Sequence, residues 1–524
     1  MDTVPHESLV ADPVVGRAVS AIVPNADQQR GSELLERSFV DIGLLAQLYG
    51  PSSQVLFGRR GTGKSHLLRI LAARKNNEQT DSAVFVDVRN LGSAQLMTDS
   101  TRSLTVRSVS VFRDLLSQLQ SHLLDLATDP SQPERIGALE SVSALADTIA
   151  AVSSRVSSRE ITAETDTAVR RSTSLGAKLS QNPSLTAASS SEAANSKKFA
   201  ERYTQIFQDT IVFAEISSSL ERVMATLGIK RLYLVLDEWS TIPSDVQPVI
   251  AEFLKRTMLP SSGIVLKIGS LTYRSTFATK TADGARIGLE FGGEITRSLD
   301  LDENYASEKG ASLALRTFTD LLWRHLVTNI DPSDYLQNEY GIFTADELRV
   351  RIFSNDNCFA DLLRTASGVP RDFLSIFTAA YFRAAVARTA VIERQAVRHA
   401  ALMSFQTEKL LNLDSDQERY LRNIVASLRE HNGERFFLLD SEFLVEPMVQ
   451  SLFDMRVIHV AQRFYSSQND PNRSFTLYAL DYGASLMFGL SEQPPELSDA
   501  SPQLLPVHPA ATIFPDLSQV LLSN

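Results

Sequence analysis

The sequence predicts an α/β fold: a parallel five-stranded sheet with helices on both faces, then a helical lid and a winged-helix domain. Three observations carry this expectation. Short apolar runs alternate with stretches of helical spacing over roughly the first three hundred residues. Each run is apolar along its whole length, as strands covered on both faces are. After Asp302 no such run recurs until the region beyond 415, where two helical stretches precede a pair of apolar runs joined by a turn.

The elements follow in order. Residues 1–35 hold Pro, Asp and Ser without sustained periodicity and read as a loosely ordered N-terminal extension. The α/β core is expected over 36–305. Its runs are Gln54–Phe57, Ala83–Val88, Leu232–Leu236, Ile264–Ile268 and a fifth near Ile295–Leu301. Helical spacing lies at Leu67–Leu71, Val111–Leu126 and Phe199–Leu227. Residues 128–198 read as an insertion, helical over Glu134–Val156 and low in complexity from Ser172 to Ser196. The helical lid spans 306–412, with helices over 306–328, 344–366, 369–388 and 392–411. A winged helix is expected over 413–490, with helices near 416–431 and 440–454 and a hairpin from Val457 to Leu480. The Pro-rich residues 491–524 read as a flexible tail.

Composition narrows the class. At 524 residues, 43% hydrophobic and 22% charged, the chain is long enough for two to four ordinary cores and is neither disordered nor fibrous. No stretch approaches the roughly 18 apolar residues of a membrane span, and the N-terminus lacks a signal-peptide pattern, so a cytoplasmic protein is expected. Cys358, the one cysteine, cannot form an intramolecular disulfide and is expected in the core. A net charge of −11 argues against coating nucleic acid by bulk charge.

Gly58-Arg59-Arg60-Gly61-Thr62-Gly63-Lys64-Ser65 fits the pattern G-x-x-x-x-G-K-[ST], between a strand and a helix that continues at His66. Backbone N–H groups can wrap a β-phosphate only where glycine removes the Cβ or permits positive φ. Lys64 then reaches the β- and γ-phosphates, Ser65 ligates magnesium, and the helix dipole faces the anion. The run Leu232–Leu236 ends in Asp237-Glu238. Asp237 is expected to hold Mg2+ through water, and Glu238 to act as general base. A second carboxylate beside the magnesium aspartate marks the hydrolytic subclass, and the absence of an Asn-Lys-x-Asp guanine reader favours ATP.

Together these residues resemble the AAA+ ATPases, and within them the origin-recognition-complex initiators and the prokaryotic ATPases similar to them, over roughly residues 36–490. The resemblance implies a γ-phosphate sensor near the end of the fourth strand: Thr272, where the family has Asn, with Ser270 as competitor. Ser367-Gly-Val-Pro-Arg371 looks like the Gly-x-Pro-Arg of a second sensor, which gives Arg371 to the lid. An arginine completing a neighbouring subunit's site is implied among Arg274, Arg286 and Arg297, with Arg286 preferred for its glycine-flanked, loop-like setting.

From Asp416 to Asp481 ten acids face seven arginines and no lysine, a poor balance for phosphate contacts. Ser441–Met455 would be the groove-reading helix yet carries Glu442, Glu446 and Asp454, while Arg463 and Arg473 flank the hairpin. The reading is an ATP-driven switch that forms a homo-oligomer, acts on a protein partner, can touch DNA through the winged helix and serves, by analogy, in phage or mobile-element defence. The alternative is a nucleotide-gated scaffold or DNA-binding initiator-like protein that hydrolyses ATP too slowly to matter.

Overall fold

The structure, a computed structural model, describes residues 8–25, 32–130, 137–152, 211–280, 285–302, 310–431, 435–440, 446–467, 470–490 and 512–513. The insertion core Ser172–Ser196 and all of the tail but Thr512–Ile513 lie outside the described residues. The chain forms two compact units, one of Ala46–Leu56 and Leu71–Leu299, the other of Met1–Leu45, Phe57–Ile70 and Asp300–Asn524.

The first unit is built on strands β1 (Gln54–Phe57), β2 (Asp81–Asp87), β3 (Arg231–Asp237), β4 (Ile264–Ser270), β5 (Ala278–Lys280), β6 (Arg286–Gly288) and β7 (Arg297–Asp300). Five of them form one sheet in the order β2-β3-β4-β1-β7. β2 and β3 pair in parallel from Asp81 with Arg231 to Asp87 with Asp237, and β3 pairs β4 in the same sense. Leu232 to Leu236 are each no more than 1% exposed. Burying each such side chain contributes about 1.5–3 kcal/mol, which is why the most apolar run of the chain takes a central position. Helices Leu104–Thr128, Phe213–Leu227 and Gln247–Met258 pack on one another, with Phe253 against Phe112 and Phe213. Ser103 caps the first by accepting from Val106, and Gly228, at φ 69°, ends the second. The described part of the insertion, 138–152, is helical.

One polar residue organises this core. Lys267 on β4 is fully buried, and its ammonium donates to the carbonyls of Gly50 and Ser52 and to Gln54 Oε1, so β4 clamps the turn that feeds β1. Burial, with Lys75 adding repulsion, pulls its pKa down to about 7.

In the second unit the helices are Gly310–Asn329, Tyr335–Tyr340, Ala345–Ile352, Asp356–Ala366, Pro370–Ala387 and Arg394–Ser404. The single helix expected over 344–366 is broken after Ile352, because Asn355 caps a new helix by accepting from the Cys358 N–H at 3.0 Å. Cys358 is buried in the core. The last helix runs into a π-helical turn, Phe405–Lys409, that places Lys409 inside.

The N-terminal segment departs from the expected loose extension. Pro13–Ser20 is a helix, and Leu9, Val10, Val15, Ala18, Val19 and Ile22 join the helical core. Its anchor is Asp12, whose Oδ1 accepts from the Val14 and Val15 N–H groups, while Tyr335 and Tyr340 donate to Oδ2 at 2.7 and 2.6 Å. Periodicity over eight residues was too short to signal this; the tertiary contacts supply it.

The C-terminal region has helices Ser415–His431, Pro447–Asp454 and Tyr482–Phe488 and strands β8 (Phe436–Asp440), β9 (Ile458–Ser467), β10 (Asp470–Leu480) and β11 (Thr512–Ile513), in sheet order β11-β8-β10-β9. β10 lies antiparallel to both β8 and β9, as in a winged helix. Two expectations are corrected here. Residue 440 ends a strand rather than starting a helix, because Phe436 and Phe437 pack inward and pair with β10. The tail, read as uniformly flexible, contributes Thr512–Ile513 as a parallel strand on β8. The side chains of Glu442, Arg463 and Arg473 lie outside the described residues. No helix among the described residues is long and apolar enough to cross a membrane.

Burial of Asp12 opposes its charge, but the hydrogen bonds from Tyr340, Val15, Tyr335 and Val14 outweigh it and hold its pKa below the ordinary value. A depressed carboxylate contributes stability above its unfolded pKa, and that contribution disappears as pH falls through the folded one. Asp12→Ala should therefore cost about 2 kcal/mol near pH 7. Chemical unfolding of the variant and native protein checks this, and the gap between them should narrow below about pH 4.

Candidate nucleotide site

The segment from Gly58 to Ser65 leaves β1 and enters the helix Lys64–Asn76. Gly61 and Gly63 hold φ values of 87° and 96°, in the left-handed region that side chains avoid. Nothing lies within 4 Å of where a Cβ on Gly63 would sit, so the loop is open at that point. A Cβ on Gly61 would meet Arg371 Cβ at 2.9 Å and Val369 Cγ1 at 3.0 Å. Lys64, 6% exposed, donates from Nζ to the carbonyls of Gly58 and Arg59 at 2.6 and 3.0 Å, and Thr62 Oγ1 donates to Arg59 at 2.8 Å. Ser65 is half-buried in the first helical turn. These are the features a phosphate needs: open space at a positive-φ glycine, a helix N-terminus and an ammonium held beside it. The loop fits the group.

Its two variable arginines are wired into the same unit. Arg59 is 4% exposed; its N–H and Nε donate to the two oxygens of Asp302 at 2.8 and 2.7 Å, its Nη2 to the Ser367 carbonyl at 3.1 Å and its Nη1 to His459 Nδ1. It also lies 5.0 Å over the Phe453 ring. Burial pushes His459 down to about 3, so the ring is neutral; it accepts from Arg59 and donates from Nε2 to Asp481 at 3.2 Å. Asp481 and Asp372 both pair with Lys409, at 2.7 and 3.0 Å. Burial opposes the charge of Asp481, but Lys409 and then His459 hold its pKa well below the usual range. Arg456 pairs with Asp372 at 3.4 Å and donates to the Arg60 carbonyl, also at 3.4 Å. His66 turns away from the loop: its Nε2 meets the Leu35 carbonyl at 2.7 Å, and burial lowers its pKa.

Arg371 occupies the second position of the helix Pro370–Ala387, where Pro370 fits the first turn, and its N–H donates to the Gly61 carbonyl at 3.2 Å. Its neighbour Asp372 pairs with Lys409 and Arg456.

In the sheet unit, Asp237 ends β3 fully buried, and its Oδ1 accepts from the Glu238 N–H at 2.9 Å. Glu238 is left-handed, φ 58° and ψ 37°, an uncommon conformation for a non-glycine residue, and is kept there by Thr241, which donates from N and Oγ1 to its carbonyl. Arg89, at the end of the neighbouring β2, reaches Glu238 at 3.9 Å while pairing with Asp87 at 2.7 Å. The sequence reading passed over Arg89; its only signal was a charged residue two positions beyond a strand-ending aspartate.

After β4, Thr272 lies in a short 3-10 turn, with a buried hydroxyl that has no hydrogen-bond partner among the described residues. Ser270 is instead engaged with Ser275. Arg274 and Arg297 are exposed. Arg286 is exposed too, but its expected loop is a strand: β6 pairs antiparallel with β5, and Arg286 pairs with Glu290 at 3.0 Å. Gly288 explains the difference, since a Cβ there would meet the Phe277 carbonyl at 2.1 Å, so glycine lets the two strands close.

A phosphate loop after one strand of a parallel sheet, with Asp-Glu at the end of another and a helical lid and winged helix beyond, defines a P-loop ATPase of the AAA+ class. The chain belongs to the ORC-CDC6-like family, whose model matches residues 24–340, more than half its length. Among solved structures it is similar to Cdc6p from Pyrobaculum aerophilum (13% identity, 90% of this chain and 98% of that chain covered, TM-score 0.30). It is also similar to Aeropyrum pernix ORC1 in complex with DNA (11%, 91% and 96%, TM-score 0.31) and to a RuvB variant from Thermotoga maritima (9%, 90% and 99%, TM-score 0.31). No curated protein matches the chain.

Gly61→Ala combines a strained φ with a clash against the lid residues Val369 and Arg371, whereas Gly43, at φ 83°, has nothing within 4 Å. Gly61→Ala should weaken nucleotide binding about tenfold or more, and Gly43→Ala should leave it within about twofold. Titration with a fluorescent nucleotide reads both.

Proposed function

We propose that this AAA+ ATPase of the ORC-CDC6-like family hydrolyses ATP with Mg2+ and uses the nucleotide state to control its assembly and its action on a macromolecular partner. The observation that carries the reading is the pair at the end of β3: a fully buried Asp237 followed by Glu238 in a left-handed conformation. Strain of that kind persists where surrounding structure fixes it, and catalytic groups are a frequent reason. Magnesium-bound ATP, when present, brings the phosphoanhydride to be cleaved. In this reading the loop N–H groups from Gly58 to Ser65 and the Lys64 ammonium hold phosphates, Ser65 and Asp237 hold the metal, and Glu238 takes a proton from the attacking water. Thr272, with its buried and unpartnered hydroxyl, is favoured over Ser270 as the polar sensor. Arg371 serves as the lid residue and Arg286 as the arginine offered to a second copy. The boundaries 36–305, 306–412 and 413–490 remain our division of the chain into ATPase core, lid and winged helix. Service in phage or mobile-element defence extends this plan by analogy alone.

One contact favours the slower alternative, a nucleotide-gated scaffold. Arg89 lies 3.9 Å from Glu238, a contact that has to be released before the carboxylate can turn to an attacking water. DNA contact through the winged helix is the less favoured role, although Asp454 is buried and so removes one acid from the helix that would read a groove.

Lys64→Ala should abolish nucleotide binding, whereas Glu238→Gln should bind ATP and lose turnover by about a hundredfold or more. Steady-state phosphate release and nucleotide titration read the two separately, and native turnover in Glu238→Gln would remove the general-base assignment.

The Arg286–Glu290 pair is exposed and therefore weak, so it leaves the guanidinium available to a neighbour. Specific activity should rise with protein concentration, and Arg286→Ala should lower turnover about a thousandfold with ATP affinity within about twofold. Mixing it with Glu238→Gln should restore part of the rate. Light scattering alongside the assay decides: a monomer with concentration-independent activity in every nucleotide state excludes a shared site.

A further inference from the structure

Behind the phosphate loop, within the same unit, lies a cavity that opens to solvent. Arg59, Arg364, Arg435 and His459 line it together with apolar side chains such as Phe318, Leu363 and Val460. It takes in none of the residues from Gly61 to Ser65, so it is separate from the face of the loop that would hold a nucleotide.

Its arginines keep donors that the surrounding carboxylates do not meet. Asp302, the one carboxylate lining the cavity, gives both oxygens to Arg59. Arg364 donates through Nη1 to Asp361 at 2.6 Å, and Asp361 is shared with Arg394; the buried Nη2 of Arg364 has no acceptor among the described residues. Arg435 is 7% exposed and forms no side-chain hydrogen bond or ion pair among the described residues, although the charges of Asp481 and Asp361 lie near enough to favour its own. It lies over the rings of Phe436 and Tyr482, at 5.1 and 5.5 Å, and its buried Nη1 has no acceptor among the described residues. Burial pulls its pKa down to about 10, which still leaves it charged near neutrality. His459, neutral, already accepts from Arg59 and donates to Asp481, and offers the cavity no further charge.

A buried guanidinium nitrogen without an acceptor is among the less favourable arrangements in a protein interior. Two arginines from different elements line one space, each with a guanidinium nitrogen that has no acceptor among the described residues. We infer that this cavity is a second anion site, formed by Arg435 and Arg364, that takes the phosphoryl group of a small phosphate monoester. A tetrahedral oxyanion can accept from two differently oriented forks at once, and the apolar wall suits the organic part of the ester. Arg59 and the Ser367 carbonyl form part of the same wall, so an occupant would bear on the hydrogen bond that joins the phosphate loop to the lid.

The test uses the full chain saturated with magnesium and a non-hydrolysable ATP analogue, so that the phosphate loop is filled. Inorganic phosphate and phenyl phosphate are titrated by calorimetry. Both should bind. Phenyl phosphate binding tenfold or more tighter would identify an ester as the ligand; equal affinity would identify free phosphate with the same two arginines. Arg435→Met and Arg364→Gln should each weaken binding tenfold or more, while Lys64→Ala, without nucleotide, should retain it. Arg435→Met should also raise the melting midpoint without ligand, because it removes a buried charge whose Nη1 has no acceptor among the described residues. No binding of either probe, or binding lost in Lys64→Ala but unchanged in both arginine variants, overturns the inference. A lower midpoint in Arg435→Met with phosphate binding unchanged does the same.

Discussion

The burial of Arg59 is the constraint on which the setting of the phosphate loop in its unit most depends. A guanidinium at 4% exposure survives only if its donors are met, and here they are met by Asp302, Ser367 and His459 together. Each acceptor comes from a different part of the unit: the segment after β7, the turn before the lid helix Pro370–Ala387, and the strand β9 of the winged helix. Removing Asp302 leaves a buried charge without its partner, which typically costs about 3–5 kcal/mol, and losing either neutral acceptor leaves a buried donor unmet, at about 1–3 kcal/mol. The position of the loop is therefore fixed from three directions by one side chain.

The chain of charges continues past His459. Asp481, Lys409, Asp372 and Arg456 follow in contact, and Arg456 returns to the loop at Arg60. Burial disfavours the charge on Lys409, yet Asp372 and Asp481 together raise its pKa above the ordinary value; burial likewise opposes Asp372, whose pKa is lowered by Lys409 and Arg456. Such a closed circuit adds little net stability over an apolar core, but it is specific, because no member can move without uncovering another's charge.

Parts of this were legible in the sequence for physical reasons. A phosphate loop needs glycine where φ is positive, and Gly61 and Gly63 are so placed. A central strand needs unbroken apolar character, and Leu232–Leu236 has it. Other parts were not legible. β8 is five residues long, too short for periodicity to separate from the start of a helix. The strand character of Arg286 depends on how closely Gly288 lets two backbones approach, which is a distance and not a pattern. Arg89 meets Glu238, and Arg59 meets His459 across 400 positions, only because strands and helices bring them together. Long-range charge pairing leaves no periodic trace in a sequence, so the candidate residues could be named while the contacts that restrain them could not.

The π-helical turn at Phe405–Lys409 bears on how this chain can vary. Such a turn behaves as one surplus residue in an otherwise regular helix. Each residue of an α-helix advances the rotation by about 100°. Losing one residue there would restore the regular helix and swing Lys409 by that angle, off Asp372 and Asp481, even with every side chain of the ionic circuit intact. Length at this turn is thus under the same constraint as identity at Lys409, and a one-residue deletion in the lid would act on the chain as a charge substitution does.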